Sequence, residues 1–286
     1  MSAPPYSLMG VVNVTPDSFS DGGLFFDASA AVAHAFELVG EGADILDVGG
    51  ESTRPGAQPV PVREELRRVL PVLEGILASG IAGGNASPRV SIDTSKAVVA
   101  AAALDAGASL VNDVSALRAD PEMAGLIAAS GCDCCLMHMR GEPRTMQSET
   151  GGEGGPRYED VVDDVRAFLQ ERMEHAVREG VREERIVLDP GIGFGKTFAH
   201  NLTLLRRLGE IVALGRPVLV GTSRKAFLGR LIADGAGEPE PVDVGRRLPG
   251  TIATNVLAYE RGASLFRVHD IAPVRAALAV AAATLG

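Results

Sequence analysis

The chain has 286 residues, of which 46% are hydrophobic and 22% charged, and it carries a net charge of −10. This length is enough for one large α/β domain with a full hydrophobic core. The acidic balance argues against a general nucleic-acid-binding protein, which normally presents a basic face. No apolar run reaches the roughly 18–20 residues that a membrane-spanning helix requires. We therefore expect a globular protein with neither nucleic acid nor membrane as a partner.

The N-terminus and the cysteines indicate a cytoplasmic location. Residues 1–9 lack the basic region and apolar stretch of a secretory signal. Cys132, Cys134 and Cys135 stand together in one apolar run without the paired spacing of a zinc site. Because free cysteine packs like a small hydrophobic residue, we predict buried, reduced thiols.

Eight short apolar runs, rich in Val, Ile or Leu, recur along the chain. They have little polar alternation, which is typical of strands buried on both faces. In chain order they are residues 8–14, 43–48, 89–92, 109–114, 132–137, 185–188, 217–220 and 264–268.

A stretch of helical periodicity follows every apolar run. These stretches are residues 28–40, 62–78, 96–105, 121–129, 158–179, 201–208, 224–233 together with 251–261, and 271–285. Before most strands stands a glycine suited to end the preceding helix. These glycines are Gly42, Gly107, Gly131, Gly180, Gly215 and Gly262.

Eight strand-then-helix units in this length predict a (β/α)₈ TIM barrel, formed as one domain over residues 1–286. An open, doubly wound parallel sheet is the alternative. Such a sheet usually shows a Gly-rich fingerprint after its first strand, and the sequence has none there.

Three predicted loops are long and rich in Gly or Pro, at residues 15–27, 51–61 and 141–156. The third, with its two Gly-Gly pairs, is predicted to be mobile. An acidic insertion at residues 234–243 is predicted to split the seventh helical region.

Nearly every apolar run ends in polar residues that a barrel core does not accommodate well. A barrel gathers the C-terminal ends of its strands on one face, where enzymes of this fold have their active sites. Taken singly, an Asp or Asn after a strand is often only a helix cap or turn former. The recurrence after successive strands favours a shared pocket. The residues are Asn13, Asp47, Asp93, Asn112 with Asp113, His138, Asp189, Ser223 with Lys225, and Arg267 with His269.

These residue types suit a flat heterocycle that carries an anionic group. Asp93, Asn112 and Asp189 offer carboxylates and one amide to amino and lactam N–H groups. A guanidinium such as that of Arg267 stacks well on a planar ring. Three further residues are expected to place positive charge around the anion: Lys225, Arg54 and His269.

Two familiar motifs fail at residues 189–197, which read DPGIGFGKT. A P-loop requires Gly where Pro190 stands, and a dinucleotide fingerprint requires Gly where Lys196 stands. We interpret Gly193 and its neighbours as a tight loop with close backbone approach to a ligand. Phe194 is either an anchor of this loop or a wall against which a ring stacks.

Lys225 leaves a second enzyme class open on the residues alone. Aldolases of barrel fold use a strand-end lysine to form a Schiff base, and the charge of adjacent Arg224 would lower a lysine pKa.

Eight sequence blocks, in matching order and spacing, resemble the dihydropteroate synthase family. They are MGVVNVTPDSFSDGG (9–23), DVGGESTRPGA (47–57), SIDTSK (91–96), VNDVSAL (111–117), LMHMRGEPRTMQ (136–147), LDPGIGFGKT (188–197), GTSRKAF (221–227) and RVHD (267–270). The resemblance covers almost the whole chain. It implies a TIM-barrel homodimer that uses Mg²⁺, 6-hydroxymethyl-7,8-dihydropterin pyrophosphate and p-aminobenzoate.

The resemblance also implies a role for particular residues. The implied pterin-binding residues are Asp93, Asn112, Asp189 and Lys225, with Met137 and Arg267 packing the ring. The implied pyrophosphate ligands are Thr53, Arg54, Arg267 and His269, and the implied Mg²⁺ ligand is Asn13. The implied p-aminobenzoate pocket contains Phe19, Pro55, Phe194 and Ser223, beside Gly193. Asp21 is expected to close the site together with Arg54. Those expected to take part in catalysis are Asp21, Arg54, Asp93 and Lys225.

The implied reaction is a substitution at the pterin methylene, in which pyrophosphate leaves and the aniline nitrogen attacks. It needs no nucleophilic side chain, so no covalent role is expected for Lys225. Two rivals share parts of this pattern: a paralogue that binds pterin without catalysis, and a pterin-dependent methyltransferase. The methyltransferase would not need the cluster of Arg54, Arg267 and His269.

Overall fold

The computed structural model describes residues 6–15, 28–54, 56–79, 88–141, 146 and 156–285. Eight parallel strands form one sheet in the order β6-β5-β4-β3-β2-β1-β8-β7. They are β1 Ser7–Asn13, β2 Ile45–Gly49, β3 Arg89–Asp93, β4 Leu110–Asp113, β5 Asp133–Met137, β6 Ile186–Asp189, β7 Leu219–Val220 and β8 Leu265–Val268. A bridge between Leu188 and Val218 joins the two end strands and closes the sheet into a barrel.

Helices alternate with the strands around the barrel. They are α1 Ala28–Gly40, α2 Val62–Ala78, α3 Ala97–Ala106, α4 Met123–Ser130, α5 Val161–Arg178, α6 Phe198–Arg206, α7 Gly209–Val212, α8 Ala226–Ala236, α9 Leu248–Glu260 and α10 Ile271–Leu285. Two 3₁₀ turns occupy Glu183–Arg185 and Val244–Arg246. Within the described ranges, every helix is too short or too polar to cross a membrane.

The predicted (β/α)₈ barrel is confirmed, and the open sheet is excluded because the end strands meet. All six glycines expected to end helices have positive φ. Gly107, for example, has φ 118° at the end of α3, a conformation that most other residues adopt only with strain. The acidic insertion separates α8 from α9 as predicted. The short α7 was not predicted, and the predicted mobility of 141–156 concerns residues that mostly lie outside the described ranges.

The barrel interior is closed at its lower end by a plug of buried apolar side chains, one from each of seven strands. They are Met9, Ile45, Leu110, Cys135, Val187, Leu219 and the partly buried Leu265. A larger apolar cluster fills the space between strands and helices. Cys134 and Cys135 are buried, and all three cysteines are free, as expected for core thiols.

Strand geometry places polar groups directly above this plug. Because side chains alternate in direction along a strand, residues two positions further on point into the same interior. On β2, β4 and β6 these residues are Asp47, Asn112 and Asp189, and on β8 the corresponding residue is Arg267. The floor of the barrel mouth is therefore polar and rests on an apolar layer.

Candidate active site

Arg267 connects acids from two neighbouring strands at the floor of the barrel mouth. Its Nε donates to Oδ2 of Asp47 at 2.7 Å, and its Nη2 donates to Oδ2 of Asp93 at 2.9 Å. Nδ2 of Asn112 donates to the same oxygen of Asp47 at 3.0 Å. Three predicted site residues, Asp93, Asn112 and Arg267, thus share one hydrogen-bonded network.

Burial and like charge shape the electrostatics of this network. Burial raises the pKa of Asp93 to about 8, which Arg267 opposes and Asp47 reinforces. Burial alone would lower the pKa of Arg267, but Asp47 and Asp93 raise it overall. Arg267 is therefore a permanent cation, whereas Asp93 titrates near neutral pH.

The loop after β6 brings a lysine and an aromatic ring to the same mouth. Asp189 is buried, and its Oδ1 accepts from the backbone N–H of Gly191 at 2.6 Å. Nζ of Lys225 donates to the carbonyl of Ile192 and lies 4.2 Å from the centroid of the Phe194 ring. Burial raises the pKa of Asp189, an effect that the N–H bond and nearby Lys225 oppose.

Gly193 is required by the close approach of this loop to Lys225. Its φ is +84°, and an added Cβ would lie 2.8 Å from Cδ of Lys225. Its N–H donates to Oδ1 of Asn201 at 2.7 Å, which fixes the turn. The predicted tight loop with close backbone approach is confirmed in its geometry.

Lys225 has the lowered pKa that a Schiff-base lysine also requires, but the cause differs from the one predicted. Burial lowers its pKa to about 8, with Arg267 adding to the effect and Asp189 opposing it. Arg224 turns away and pairs with Asp270, Nη2 to Oδ1 at 2.6 Å. The expected influence of Arg224 on Lys225 was therefore wrong.

An apolar wall borders the floor. Met137 at the end of β5 packs in one cluster with Met139, Met146, Val114 and Phe194. Methionine side chains are flexible and polarisable, which suits contact with a planar ring. Phe194 and Met137 thus belong to one apolar cluster beside the floor, and their packing against a ring stays a prediction.

His269 differs from expectation in its charge. Its Nδ1 lies 2.9 Å from Oγ of Ser223, so these two predicted residues are in contact. Burial, together with Arg267 and Arg224, lowers the pKa of His269 to about 4. The positive charge expected on His269 is corrected to a neutral imidazole, which still offers one N–H to a ligand.

Thr53 and Arg54 lie on the loop after β2 at the rim of the site. Thr53 and Asp93 border one cavity of about 350 Å³, which also reaches Val114. Arg54 is exposed, and its charge contributes to the lowered pKa of His269, which places it on the same side of the mouth. It is therefore available to an anion that enters from solvent.

Asn13 ends β1 and is half-buried beside Gly49, its register partner on β2. No group of three or more His, Cys, Asp or Glu side chains suited to a metal occurs in the ranges the structure describes. A single amide oxygen fits Mg²⁺, which commonly keeps one or two protein ligands and takes the rest from phosphate and water. Phe19, Asp21 and Pro55 lie outside the described residues.

Two polar residues at strand ends turn away from the floor. Asp113 accepts from the backbone N–H groups of Ser115 and Leu117, both at 2.8 Å, and so forms a turn. His138 packs edge-on against Phe168, with ring centroids 4.8 Å apart. Its Nδ1 lies 2.9 Å from Nζ of the buried Lys196. Asp113 and His138 therefore have structural contacts, an alternative that the sequence left open for strand-end residues.

The site also contains a residue to which no role was assigned. Asp47 was noted at a strand end, yet its contacts with Asn112 and Arg267 were not foreseen. Its position two residues beyond Ile45 was the available signal, because both side chains must point into the barrel.

The fold and the site together define a barrel enzyme that binds pterins. The family model described as "Pterin binding enzyme" matches residues 9–269. Dihydropteroate synthase of Mycobacterium leprae is 48% identical over 285 residues, which span 100% of this chain and 95% of the relative. The chain belongs to the dihydropteroate synthase family.

Solved structures agree with this assignment. Dihydropteroate synthase of Xanthomonas albilineans with 4-aminobenzoic acid has a TM-score of 0.85 and 45% identity, covering 98% of this chain and 93% of that one. The same protein in complex with 7,8-dihydropteroate has a TM-score of 0.81 and 42% identity, covering 98% and 94%. As a member of this family the chain is a transferase of folate biosynthesis, which excludes the aldolase alternative.

Proposed function

We propose that the floor formed by Asp93, Asn112 and Asp189 holds the pterin ring of the first substrate. The chain condenses 6-hydroxymethyl-7,8-dihydropterin pyrophosphate with p-aminobenzoate to give 7,8-dihydropteroate and pyrophosphate. The observation that carries the assignment of this floor is the network of Asp47, Asp93, Asn112 and Arg267. It places acceptors and a fixed guanidinium plane together above an apolar plug.

The pterin edge and face meet different groups. Ring N–H donors face the acceptors of the floor, while one face of the ring packs on Arg267 and Met137. Asp93 and Asp189 then lie near a ring that gains positive charge as pyrophosphate departs. Lys225 adds a cation beside Asp189, and its contact with the Ile192 carbonyl holds it there without a covalent role.

The leaving group is proposed to lie at the rim. Thr53 donates a hydroxyl, Arg54 and Arg267 supply charge, and neutral His269 donates one N–H. Asn13 contributes an oxygen ligand to Mg²⁺. When bound, Mg²⁺ neutralises charge on the departing pyrophosphate.

The second substrate is proposed to enter between the rim and the loop after β6. Phe194 provides an apolar surface and the Ser223 hydroxyl a polar contact, with Phe19 and Pro55 completing the pocket. Asp21 is proposed to close the site with Arg54. Closure excludes water, which would otherwise capture the electrophilic pterin.

A homodimer and a cytoplasmic location are also proposed. Leu257 on α9 and Val280 and Leu285 on α10 are 44%, 69% and 56% exposed, and these helices pack side by side. Exposed large apolar side chains on adjacent helices support an interface with a second copy. The three free cysteines agree with a reducing compartment. Light scattering on the purified chain tests the dimer.

A coupled assay for pyrophosphate release tests the proposed function. Release should require both the pterin pyrophosphate and p-aminobenzoate, and Asp93→Asn should reduce it strongly. Pyrophosphate release that does not depend on p-aminobenzoate would contradict the condensation. Methyl transfer without any pyrophosphate release would instead support the pterin-dependent methyltransferase.

A further inference from the structure

Asp47 lies on β2 in the polar layer that also holds Asn112 and Asp189, and its side chain is fully buried. Its Oδ2 accepts from Nδ2 of Asn112 at 3.0 Å and from Nε of Arg267 at 2.7 Å. Its Oδ1 is buried and has no hydrogen-bond partner among the described residues. This carboxylate therefore meets the two residues proposed to bind the edge and the face of the pterin.

The chemistry of a carboxylate decides how Asn112 must point. An amide side chain has nearly the same shape when flipped, but its two ends have opposite hydrogen-bonding character. An ionised carboxylate only accepts, so Nδ2 of Asn112 must face Asp47. The Oδ1 acceptor is then turned away from Asp47 and is available to a ring N–H.

The same carboxylate fixes the plane of Arg267. Asp47 holds Nε and Asp93 holds Nη2, so the planar guanidinium has anchors at two of its nitrogens. Rotation of the plane would break at least one charge-assisted bond. One face of the guanidinium is thereby presented in a constant orientation.

We propose that Asp47 is a positioning residue that sets the amide orientation of Asn112 and the plane of Arg267 for pterin binding. This inference rests on the proposed pterin site. Asp47 does not touch the substrate; it acts by allowing only one arrangement of two groups that do. Burial of a carboxylate with one unpaired oxygen is unfavourable in free energy. What Asp47 contributes in return is the fixed orientation of Asn112 and Arg267.

A residue swap tests the inference by direct measurement of pterin binding. Asn112→Asp alone sets two carboxylates against each other and should weaken binding of the pterin pyrophosphate about tenfold to 100-fold. In Asp47→Asn/Asn112→Asp the amide at position 47 donates to the carboxylate at position 112, whose other oxygen still accepts from the ring, although Nε of Arg267 then loses its acceptor at position 47, so the swap tests the amide orientation alone. The swap should recover at least a tenfold part of the loss, measured by titration calorimetry with Mg²⁺ present.

Equal dissociation constants for Asn112→Asp and the swapped double variant would overturn the inference. Thermal melts establish that both variants are folded. If either fails to fold, Asp47→Leu and Asp47→Asn provide the second measurement. Leucine offers no acceptor and should weaken pterin binding at least tenfold, whereas the amide oxygen of asparagine can still accept from Asn112 and Arg267 and should retain most of the binding. Equal dissociation constants for these two variants would overturn the inference.

Binding and turnover separate this inference from the proposed function. A wild-type chain that binds the pterin pyrophosphate but releases no pyrophosphate with p-aminobenzoate contradicts the function alone. If the wild-type chain turns over but the swapped double variant does not recover pterin binding, only the proposed role of Asp47 is contradicted.

Discussion

Arg267 on β8 donates to Asp93 on β3, Nη2 to Oδ2 at 2.9 Å, although the two residues stand 174 positions apart in the chain. Strands β3 and β8 are separated by β2 and β1 in the sheet, and the curvature of the sheet into a barrel turns both strand ends toward one interior. The pair joins the cation expected to stack on the pterin to a carboxylate expected to accept from it. The binding floor is thus a product of the whole fold rather than of one sequence motif.

Asp189→Asn is expected to weaken pterin binding while leaving the fold intact. The amide oxygen can still accept from Gly191, so the loop keeps its hydrogen bond. The lost charge removes a charge-assisted bond to the ring, worth about 1.5–3 kcal/mol, which corresponds to a roughly tenfold to 150-fold increase in the KM for the pterin. Steady-state kinetics measure this increase.

The KM for p-aminobenzoate should change little in Asp189→Asn. Asp163→Asn, on the exposed surface of α5, is the matched control and should behave as wild type. Wild-type kinetics in Asp189→Asn would remove Asp189 from the pterin site.

The pH dependence of kcat/KM for the pterin should be bell-shaped around pH 8. Asp93 must be ionised to accept from the ring, and burial raises its pKa to about 8, so activity rises with pH through that value. Lys225 must be charged, and burial lowers its pKa to about 8, so activity falls as pH rises further. Because kcat/KM reports the free enzyme, the two apparent pKa values belong to Asp93 and Lys225 in the unliganded site.

Lys225→Arg separates the two limbs of this profile. The guanidinium stays charged, so the falling limb should disappear while the rising limb remains. An alkaline limb that persists in this variant assigns the ionisation to another group.

Chelation by EDTA should abolish turnover, and added Mg²⁺ should restore it. Asn13→Ala should raise the Mg²⁺ concentration needed for half-maximal turnover, because one oxygen ligand is lost. Asn13→Asp retains an oxygen and serves as the control. Full activity in metal-free buffer would show that Mg²⁺ has no part in the reaction.

Lys96→Met is expected to destabilise the fold. Nζ of Lys96 bonds to Glu51 and to the fully buried Glu65, which also accepts from the Thr94 hydroxyl at 2.7 Å. Loss of the cation leaves a buried carboxylate unpaired, at a cost of about 3–5 kcal/mol. Urea unfolding followed by circular dichroism measures the change in the free energy of unfolding.

Lys96→Met/Glu65→Gln should recover part of this loss, since the uncompensated charge is gone. Arg230→Met, which breaks an exposed pair with Asp234, should have little effect. Equal stability of Lys96→Met and wild type would show that the ion pair does not support α2 and the loop after β2.

The sequence predicted the barrel because its strands are buried on both faces and its helices end at glycines with positive φ. It also predicted the polar strand ends, and the family resemblance selected those that are proposed to bind ligands. It did not predict which way each strand-end side chain points. In the structure Asp113 and His138 point away from the floor. A continuous apolar run does not mark which of its residues face inward.

The charge of His269 could not be derived from sequence either. Its lowered pKa results from burial and from two cations distant in sequence from each other, Arg267 on β8 and Arg224 in the turn after β7. The direction of the Asp47 side chain follows from its position two residues beyond Ile45, but its contacts join β2 to β4 and β8 across the barrel interior, which no local pattern gives.

A crystal structure with bound 6-hydroxymethyl-7,8-dihydropterin pyrophosphate tests the central claim most directly. We expect the ring above the apolar plug, with Asp93, Asn112 and Asp189 within hydrogen-bond distance of its edge and the guanidinium of Arg267 against its face. A pterin bound elsewhere on the chain, or a ring edge that meets none of these three side chains, would contradict it.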